Sequence, residues 1–300
     1  MEAIQVDRSS GDPQFAVKAL ERGNILFFPA TPFRISEPHR ALLLNTGQAD
    51  GNFHKNISYK PHSGKLSGLG KANPGEEEGV RDALHAYSEA AIGFLEEIVS
   101  PYRAGWQTDY ASFRSIEEEG RDLPLKKRND LLHTDAFPTR PTNGGLILRI
   151  FTNINPSKDR VWVTSDPFSV VAGQYAERAG VRRIADGARS PVRRIQRAAT
   201  RAAHALGVPV AVRSPYDEFM LGFHDFLKSN TEYQRDCVKY RFSFPPNSTW
   251  IVFTDVVPHS VLAGRYALEQ TMIIARKTLL QPECAPASVL ETLIGQALTD

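Results

Sequence analysis

The chain has 300 residues, 41% of them hydrophobic, and a formal net charge of +2. That is enough apolar material for a sizeable core, and the charge balance lends no support to a nucleic-acid partner. Its two cysteines, Cys237 and Cys284, are too few for a disulfide framework. They read as reduced thiols of a cytosolic protein, with a single bridge left open. The opening MEAIQVDRSSGDPQF lacks the basic-then-apolar pattern of a secretory signal. No run approaches the roughly 20 apolar residues that span a bilayer, so any membrane contact is expected to be peripheral.

In chain order, residues 13–24 predict a short helix ended by Gly23, and Ile25-Leu26-Phe27-Phe28-Pro29 a buried strand stopped by proline. Residues 33–63 are polar and irregular and take no assignment, although Asn52, His54, Lys55, Asn56 and Lys60 make them too basic for a plain linker. Val80, Leu84, Tyr87, Ala91, Leu95 and Ile98 recur at helical spacing, predicting a helix within Gly75–Val99 that Pro101 closes. Its acidic opening, Glu76-Glu77-Glu78, suits the positive end of a helix dipole. Tyr110–Arg114 reads as a strand, and Leu146–Asn153 as another, entered through the turn Asn143-Gly144-Gly145. Residues 165–235 change to helical periodicity and carry eight arginines between Arg178 and Arg201. That run is either a solvated helical face or a patch for phosphate and carboxylate groups. His224, in the same stretch, reads as structural. Strand character returns at Tyr240–Phe244, Trp250–Thr254, around His259 and at Arg265–Ile274, and Ala287–Ala297 predicts a terminal amphipathic helix. Two β blocks, about 105–160 and 238–280, thus flank a helical insertion of about 165–235. Short strands separated by turns point to a β-barrel or sandwich, expected here as one domain over 1–300.

The chemistry concentrates at His133-Thr134-Asp135. In an extended chain alternate side chains share a face, so His133 and Asp135 can present a ring nitrogen and a carboxylate oxygen to one point. An isolated His-x-Asp recurs by chance in a chain with eight histidines, but this one sits just before a strand, at a rim where sites are built. A third ligand would complete the two-histidine, one-carboxylate set that leaves positions open on non-haem Fe(II). His259, after Pro258 in the second β block, is the candidate. Arg265, one hairpin later, would project into the same barrel mouth and grip a dicarboxylate with its guanidinium fork. Arg149 lies within an otherwise apolar strand, which is costly unless it is paired; Arg114 shares that logic.

HTD, then a distal PHSV, a turn and RYAL resemble the motif series of the Fe(II)/2-oxoglutarate-dependent dioxygenases. More specifically, LLHTDAFPTRPTNGGLILRIFTNINP, the helical insert and WIVFTDVVPHSVLAGRYALEQT are similar to the bacterial Kdo hydroxylases, which hydroxylate carbon 3 of the Kdo sugar on lipid A precursors. The resemblance implies a double-stranded β-helix (jelly-roll, cupin-like) with flanking helices. It implies Fe(II) held by His133, Asp135 and His259, with 2-oxoglutarate and O₂ as co-substrates. Arg265 is the expected anchor for the distal carboxylate of 2-oxoglutarate, with Arg149 and Arg114 next. The interval from His259 is shorter than the family's usual one, which leaves Arg276 as a fallback. Thr254 and Ser260 are expected to donate near the iron, and Asp255 to orient a ligand from behind. The His54–Lys60 loop and Arg140 are expected to contact an anionic sugar.

A Kdo-lipid A type substrate would place the protein in the cytoplasm, peripheral on the inner membrane through the Arg178–Arg201 cluster. Two other readings stay open: a dioxygenase of the same fold acting on another small molecule or a protein side chain, and a non-catalytic β-barrel binding module. The sequence leaves the oligomeric state open.

Overall fold

The computed structural model describes residues 2–6, 12–48, 56–71 and 74–299. Its strands are β1 (Ala3–Gln5), β2 (Ile25–Phe28), β3 (Ile57–Lys60), β4 (Lys65–Ser67), β5 (Trp106–Arg114), β6 (Leu146–Asn153), β7 (Arg160–Thr164), β8 (Tyr240–Phe244), β9 (Thr249–Phe253), β10 (His259–Ala263) and β11 (Ala267–Ile274). An eight-stranded sheet has the order β1-β2-β9-β6-β11-β5-β3-β4, and a three-stranded sheet the order β10-β7-β8. All pairings are antiparallel except β1 with β2. From β6 onward the chain alternates between the sheets, large to small to large to small to large. That winding is a double-stranded β-helix, the expected jelly roll.

The sheets close on an aromatic wedge. Phe151 of β6, Trp162 of β7, Phe244 of β8 and Trp250 of β9 form one buried cluster, in which Phe244 stacks on Trp250 at 4.0 Å between centroids. Each such ring, fully buried, contributes on the order of 3 kcal/mol of transfer free energy. All eight residues of β6 are buried. Its outer face lies under α3 (Pro74–Ile98), whose predicted apolar stripe is buried and whose Ser88 hydroxyl donates to Gln270 of β11 at 2.7 Å. The inner face of β6 therefore carries Arg149 and Phe151 toward the barrel interior.

Before the barrel lie α1 (Pro13–Glu21) and α2 (Glu37–Asn45). The insertion consists of α4 (Phe168–Tyr175), α5 (Val181–Arg189), α6 (Pro191–Ala205), α7 (Pro215–Ser229) and α8 (Thr231–Asp236), and α9 (Pro286–Ile294) follows the barrel. The start of α7 is fixed by a reciprocal cap between Ser214 and Asp217, with Pro215 in the first turn. Asp217 also accepts from the backbone N–H groups of Thr142 and Asn143 at 2.9 and 3.1 Å. One carboxylate thus joins the insertion to the turn that launches β6.

Three expectations need correction. Residues 33–63, which show no periodic pattern in the sequence, contain α2 and β3. Ser36 caps α2 by accepting from His39 N–H, with Pro38 in its first turn. Arg160–Thr164, which falls between the first expected β block and the expected helical insertion, is the central strand of the small sheet. His133 and Asp135 lie well ahead of the strand expected directly after them: His133 makes an isolated antiparallel bridge to His259, and β6 starts only at Leu146.

Candidate metal centre and its arginine-lined cavity

That bridge is what brings the two histidines together. His133 N–H donates to the His259 carbonyl at 3.1 Å, and His259 N–H returns a bond at 2.9 Å. Asp135 N–H donates to the Thr254 carbonyl at 2.9 Å, which turns its side chain to the same side. The ligand atoms of His133, Asp135 and His259 all lie within 4.8 Å of one another. Both imidazole Nε2 atoms are 3.9 Å from the Asp135 carboxylate, one from each oxygen.

The tautomers fit a cation. A carbonyl can only accept, so His133 Nδ1–H donates to Leu131 O at 2.7 Å and His259 Nδ1–H to Val257 O at 2.9 Å. Each ring is thereby left with its Nε2 lone pair facing the carboxylate. Burial lowers the pKa of both rings and keeps them neutral. Burial alone would raise Asp135, but the Arg149 guanidinium beside it outweighs this and holds the carboxyl far below its ordinary range. Asp135 Oδ2 is buried and forms no hydrogen bond, although Arg149 Nη2 stands 3.2 Å away. Two neutral imidazoles and an ionised carboxylate with an unspent buried oxygen form a donor set suited to a divalent metal of borderline character, with its remaining positions open to the cavity.

The three side chains sit in the wall of a cavity of about 530 Å³. Trp162 also lines it and stacks on the His259 ring at 5.0 Å. Arg114, Arg149 and Arg160 reach it from β5, β6 and β7. Their partners differ. Arg114 gives two hydrogen bonds to Glu269, at 2.9 and 2.6 Å. Arg149 lies between Asp135 and the other Glu269 oxygen, 2.9 Å from the latter. Arg160 is 1% exposed, and its guanidinium donates to Gly264 O at 2.9 Å, with Glu118 at 3.8 Å. Its Nε and Nη2 are buried without hydrogen-bond partners. Burial lowers its pKa to about 10, so the group stays cationic at neutral pH. A buried guanidinium with two idle donors is a binding group for an anion.

Arg265 is elsewhere. It is exposed in the turn before β11, with its guanidinium 4.2 Å from the Tyr266 ring centre. Tyr266 has φ of +62°, which breaks the strand alternation, so β11 begins at Ala267 and the position facing the arginines is the acid Glu269. Arg276 is also away from the cavity, bonded to Glu291 and Thr299 of the C-terminal segment. Neither expectation for these two residues stands. Arg149 and Arg114 do line the cavity.

The minor expectations divide. The Thr254 hydroxyl donates to Ile147 O at 3.4 Å and Ser260 to Val163 O at 3.4 Å, so neither is bonded to a ligand side chain. Asp255 accepts from Ile147 N–H at 3.0 Å, and burial pushes its carboxyl up to about 7. Asn56 lines the cavity, Lys60 sits over Tyr110, and Arg140 pairs with Asp109 between the rings of Tyr110 and Phe137. His54 and Lys55 lie outside the described residues. His224, read as structural, borders the cavity with its ring edge-on to His133 at 4.8 Å. Arg160 and Trp162 belong to none of the sequence motifs, although Arg160-Val161-Trp162-Val163-Thr164 alternates as a strand with arginine on the tryptophan side. The preceding Ser157-Lys158-Asp159 gave the whole stretch the look of a turn.

The profile of the family described as 3-deoxy-D-manno-oct-2-ulosonic acid (Kdo) hydroxylase matches residues 4–297. Among curated proteins none matches at a comparable level. Among solved structures, the apo form of KdoO is similar. It is described as a Kdo hydroxylase and a non-haem Fe(II) alpha-ketoglutarate dependent dioxygenase, 32% identical over 100% of this chain and 98% of its own, with a TM-score of 0.84. The same protein with alpha-ketoglutarate and Fe(III) matches at 32% identity, 100% and 98% coverage and a TM-score of 0.83. With succinate and Fe(III) the values are 32%, 99%, 97% and 0.82. A profile running nearly end to end, laid over a fold that brings two histidines and an aspartate together beside three arginines, places this chain in the Kdo hydroxylase family.

Proposed function

We propose that this protein is an Fe(II)- and 2-oxoglutarate-dependent dioxygenase that hydroxylates carbon 3 of the Kdo sugar of a Kdo-lipid A type glycolipid, acting as one domain over 1–300. His133, Asp135 and His259 hold the metal. The observation that carries this is the convergence of their ligand atoms within 4.8 Å at the wall of the arginine-lined cavity. Iron with bound 2-oxoglutarate supplies the oxidant: one oxygen of O₂ enters a substrate C–H bond, the other enters succinate, and CO₂ leaves.

The protein's own residues bind and position. Arg160 takes the distal carboxylate of 2-oxoglutarate through its idle Nε and Nη2, and the indole N–H of Trp162, buried without a partner, is a further donor beside it. Arg149 and Arg114 are already charge-matched by Asp135 and Glu269, so they shape and rigidify the wall. Lys126 and Asn129 on the cavity rim, with Arg140 behind Phe137, suit an anionic sugar acid. Phe137 and Phe151 make part of the lining apolar and help keep water from the reacting centre. No helix among the described residues is long and apolar enough to cross a membrane. We place the protein in the cytoplasm, reaching a substrate at the inner membrane from the aqueous side.

The test is turnover of Kdo₂-lipid IVA with Fe(II), 2-oxoglutarate and O₂. Succinate release matched by a product mass gain of one oxygen, located at carbon 3 by fragmentation, is expected. Succinate release uncoupled from this glycolipid but coupled to another acceptor would overturn the substrate assignment.

A further inference from the structure

The helix α6 is built the wrong way round for a water-exposed helix. At 100° per residue, Val192, Ile195, Ala199, Ala202, Ala203 and Leu206 fall in one arc about 120° wide. Such a stripe normally faces the core. Here no residue of α6 is buried, and Val192, Ile195 and Leu206 are 64%, 70% and 85% exposed.

The helix is instead fastened through its polar side. Arg193 pairs with Glu218 of α7 at 3.2 Å, Arg197 donates to the carbonyl of Ala188 in α5, and His204 bonds Val210 O at 3.1 Å. Those three residues point away from the apolar arc. The protein has therefore spent arginine contacts to hold a hydrophobic stripe out into solvent.

From this we infer that α6 is an interfacial anchor that lays its apolar stripe into an anionic lipid bilayer. Charge selects the occupant. Residues 178–206 carry eight arginines against one acid, Asp186; Arg178, Arg182 and Arg193 pair with Glu232, Glu177 and Glu218 outside that stretch, so the segment keeps a net positive charge after those three pairs. A basic amphipathic helix with its apolar face outward matches a surface that is apolar inside and negative at its headgroups. A second copy would set one arginine-rich surface against another, which like-charge repulsion opposes.

The position of α6 is apt for a lipid-borne substrate. Glu218, its partner, is on α7, and Leu221, His224 and Asp225 of the same helix line the cavity. Arg213, in the link from α6 to α7, donates to the carbonyl of Pro138, another lining residue. This inference deepens the reading of a glycolipid hydroxylase and uses it only for the reason a bilayer is visited. Vesicle binding needs neither iron nor substrate, so its failure leaves the hydroxylase reading standing.

The test is flotation of the full chain with vesicles of phosphatidylglycerol and phosphatidylethanolamine, compared with phosphatidylcholine alone. The wild type should float with the anionic vesicles and lose binding as salt is raised. The double variant Ile195→Glu/Leu206→Glu should bind at least about tenfold more weakly. It should also keep the wild-type melting temperature and its turnover of detergent-dispersed glycolipid. Equal flotation of variant and wild type would overturn the inference, as would a wild type that stays with the aqueous fraction. A wild-type dimer that the double variant converts to monomer, with no vesicle binding by either, would assign the stripe to self-association instead.

Discussion

Replacing Arg160 with lysine separates an anion anchor from a structural charge. The guanidinium offers idle Nε and Nη2 donors to the cavity and spends one bond on Gly264 O at 2.9 Å. An ammonium keeps the charge but not the fork. One charge-assisted hydrogen bond is worth about 1.5–3 kcal/mol, so losing it should raise the apparent KM for 2-oxoglutarate by about 10- to 150-fold. The fold should tolerate the change. Glu118, the nearest acid to Arg160, also accepts from Arg121 at 3.3 Å and from Asn129 at 3.2 Å, so it is not stranded. The assay is succinate release against 2-oxoglutarate concentration at saturating glycolipid and Fe(II), with the melting temperature as a fold control. Arg265→Ala is the matched comparison and should leave that KM within about twofold, because its guanidinium stacks on Tyr266 in solvent. An unchanged KM in Arg160→Lys, or a large rise in Arg265→Ala, would refute the assignment and return the anchor to the turn before β11.

Chelation should abolish succinate release and Fe(II) should restore it, whereas His133→Ala or His259→Ala should leave turnover undetectable at any added Fe(II) and weaken metal binding measured by calorimetry. The metal-free protein should lose stability as pH falls below about 6.5: the unfolded chain then protonates imidazoles that the folded protein buries neutral, at up to about 1.4 kcal/mol per pH unit for each of His133 and His259. Melting temperatures measured between pH 7.5 and 5.5 check the sign, and a curve that is flat or rises toward acid contradicts it. Gly264→Ala should lower stability by about 1–3 kcal/mol and also raise the KM for 2-oxoglutarate, because Gly264 has φ of +108° and an added Cβ would lie 2.8 Å from the Cα of Arg160.

Much of the fold could be read from local patterns. The helix at Pro74–Ile98 announces itself through apolar residues three and four apart, and the β blocks through turn residues between short apolar runs. His133, Asp135 and His259 could be found because a ligand triad needs particular residue types, and few histidines compete for the role. What local patterns could not show was the bridge from His133 to His259, a pairing between distant segments with no strand around its first member. The helix at Glu37–Asn45 was hidden for the opposite reason. It buries only Leu43, so it lacks the periodic apolar face that sequence reading depends on.

The arginines show why choosing an anchor by strand position fails. Arg265 looked right because it stands near the distal histidine in sequence, but the positive φ of Tyr266 ends that register one residue before the strand begins. Arg114 and Arg149 stand in the correct wall, yet Glu269 takes two hydrogen bonds from Arg114, and Arg149 is ion-paired to Glu269 and Asp135. A cationic side chain marks a ligand site only where the fold leaves part of its hydrogen-bonding capacity unspent and dry, since that is where an incoming carboxylate gains a partner without displacing one. By that criterion Arg160, with two idle buried donors, ranks ahead of Arg149, which has only its Nε unspent, and of Arg114, which has none. Glu269 then has a role of its own: by holding Arg114 and Arg149 it offsets their positive charge, so that on the proposed reading a dicarboxylate would be drawn toward β7, beside Trp162 and the His259 ring stacked on it.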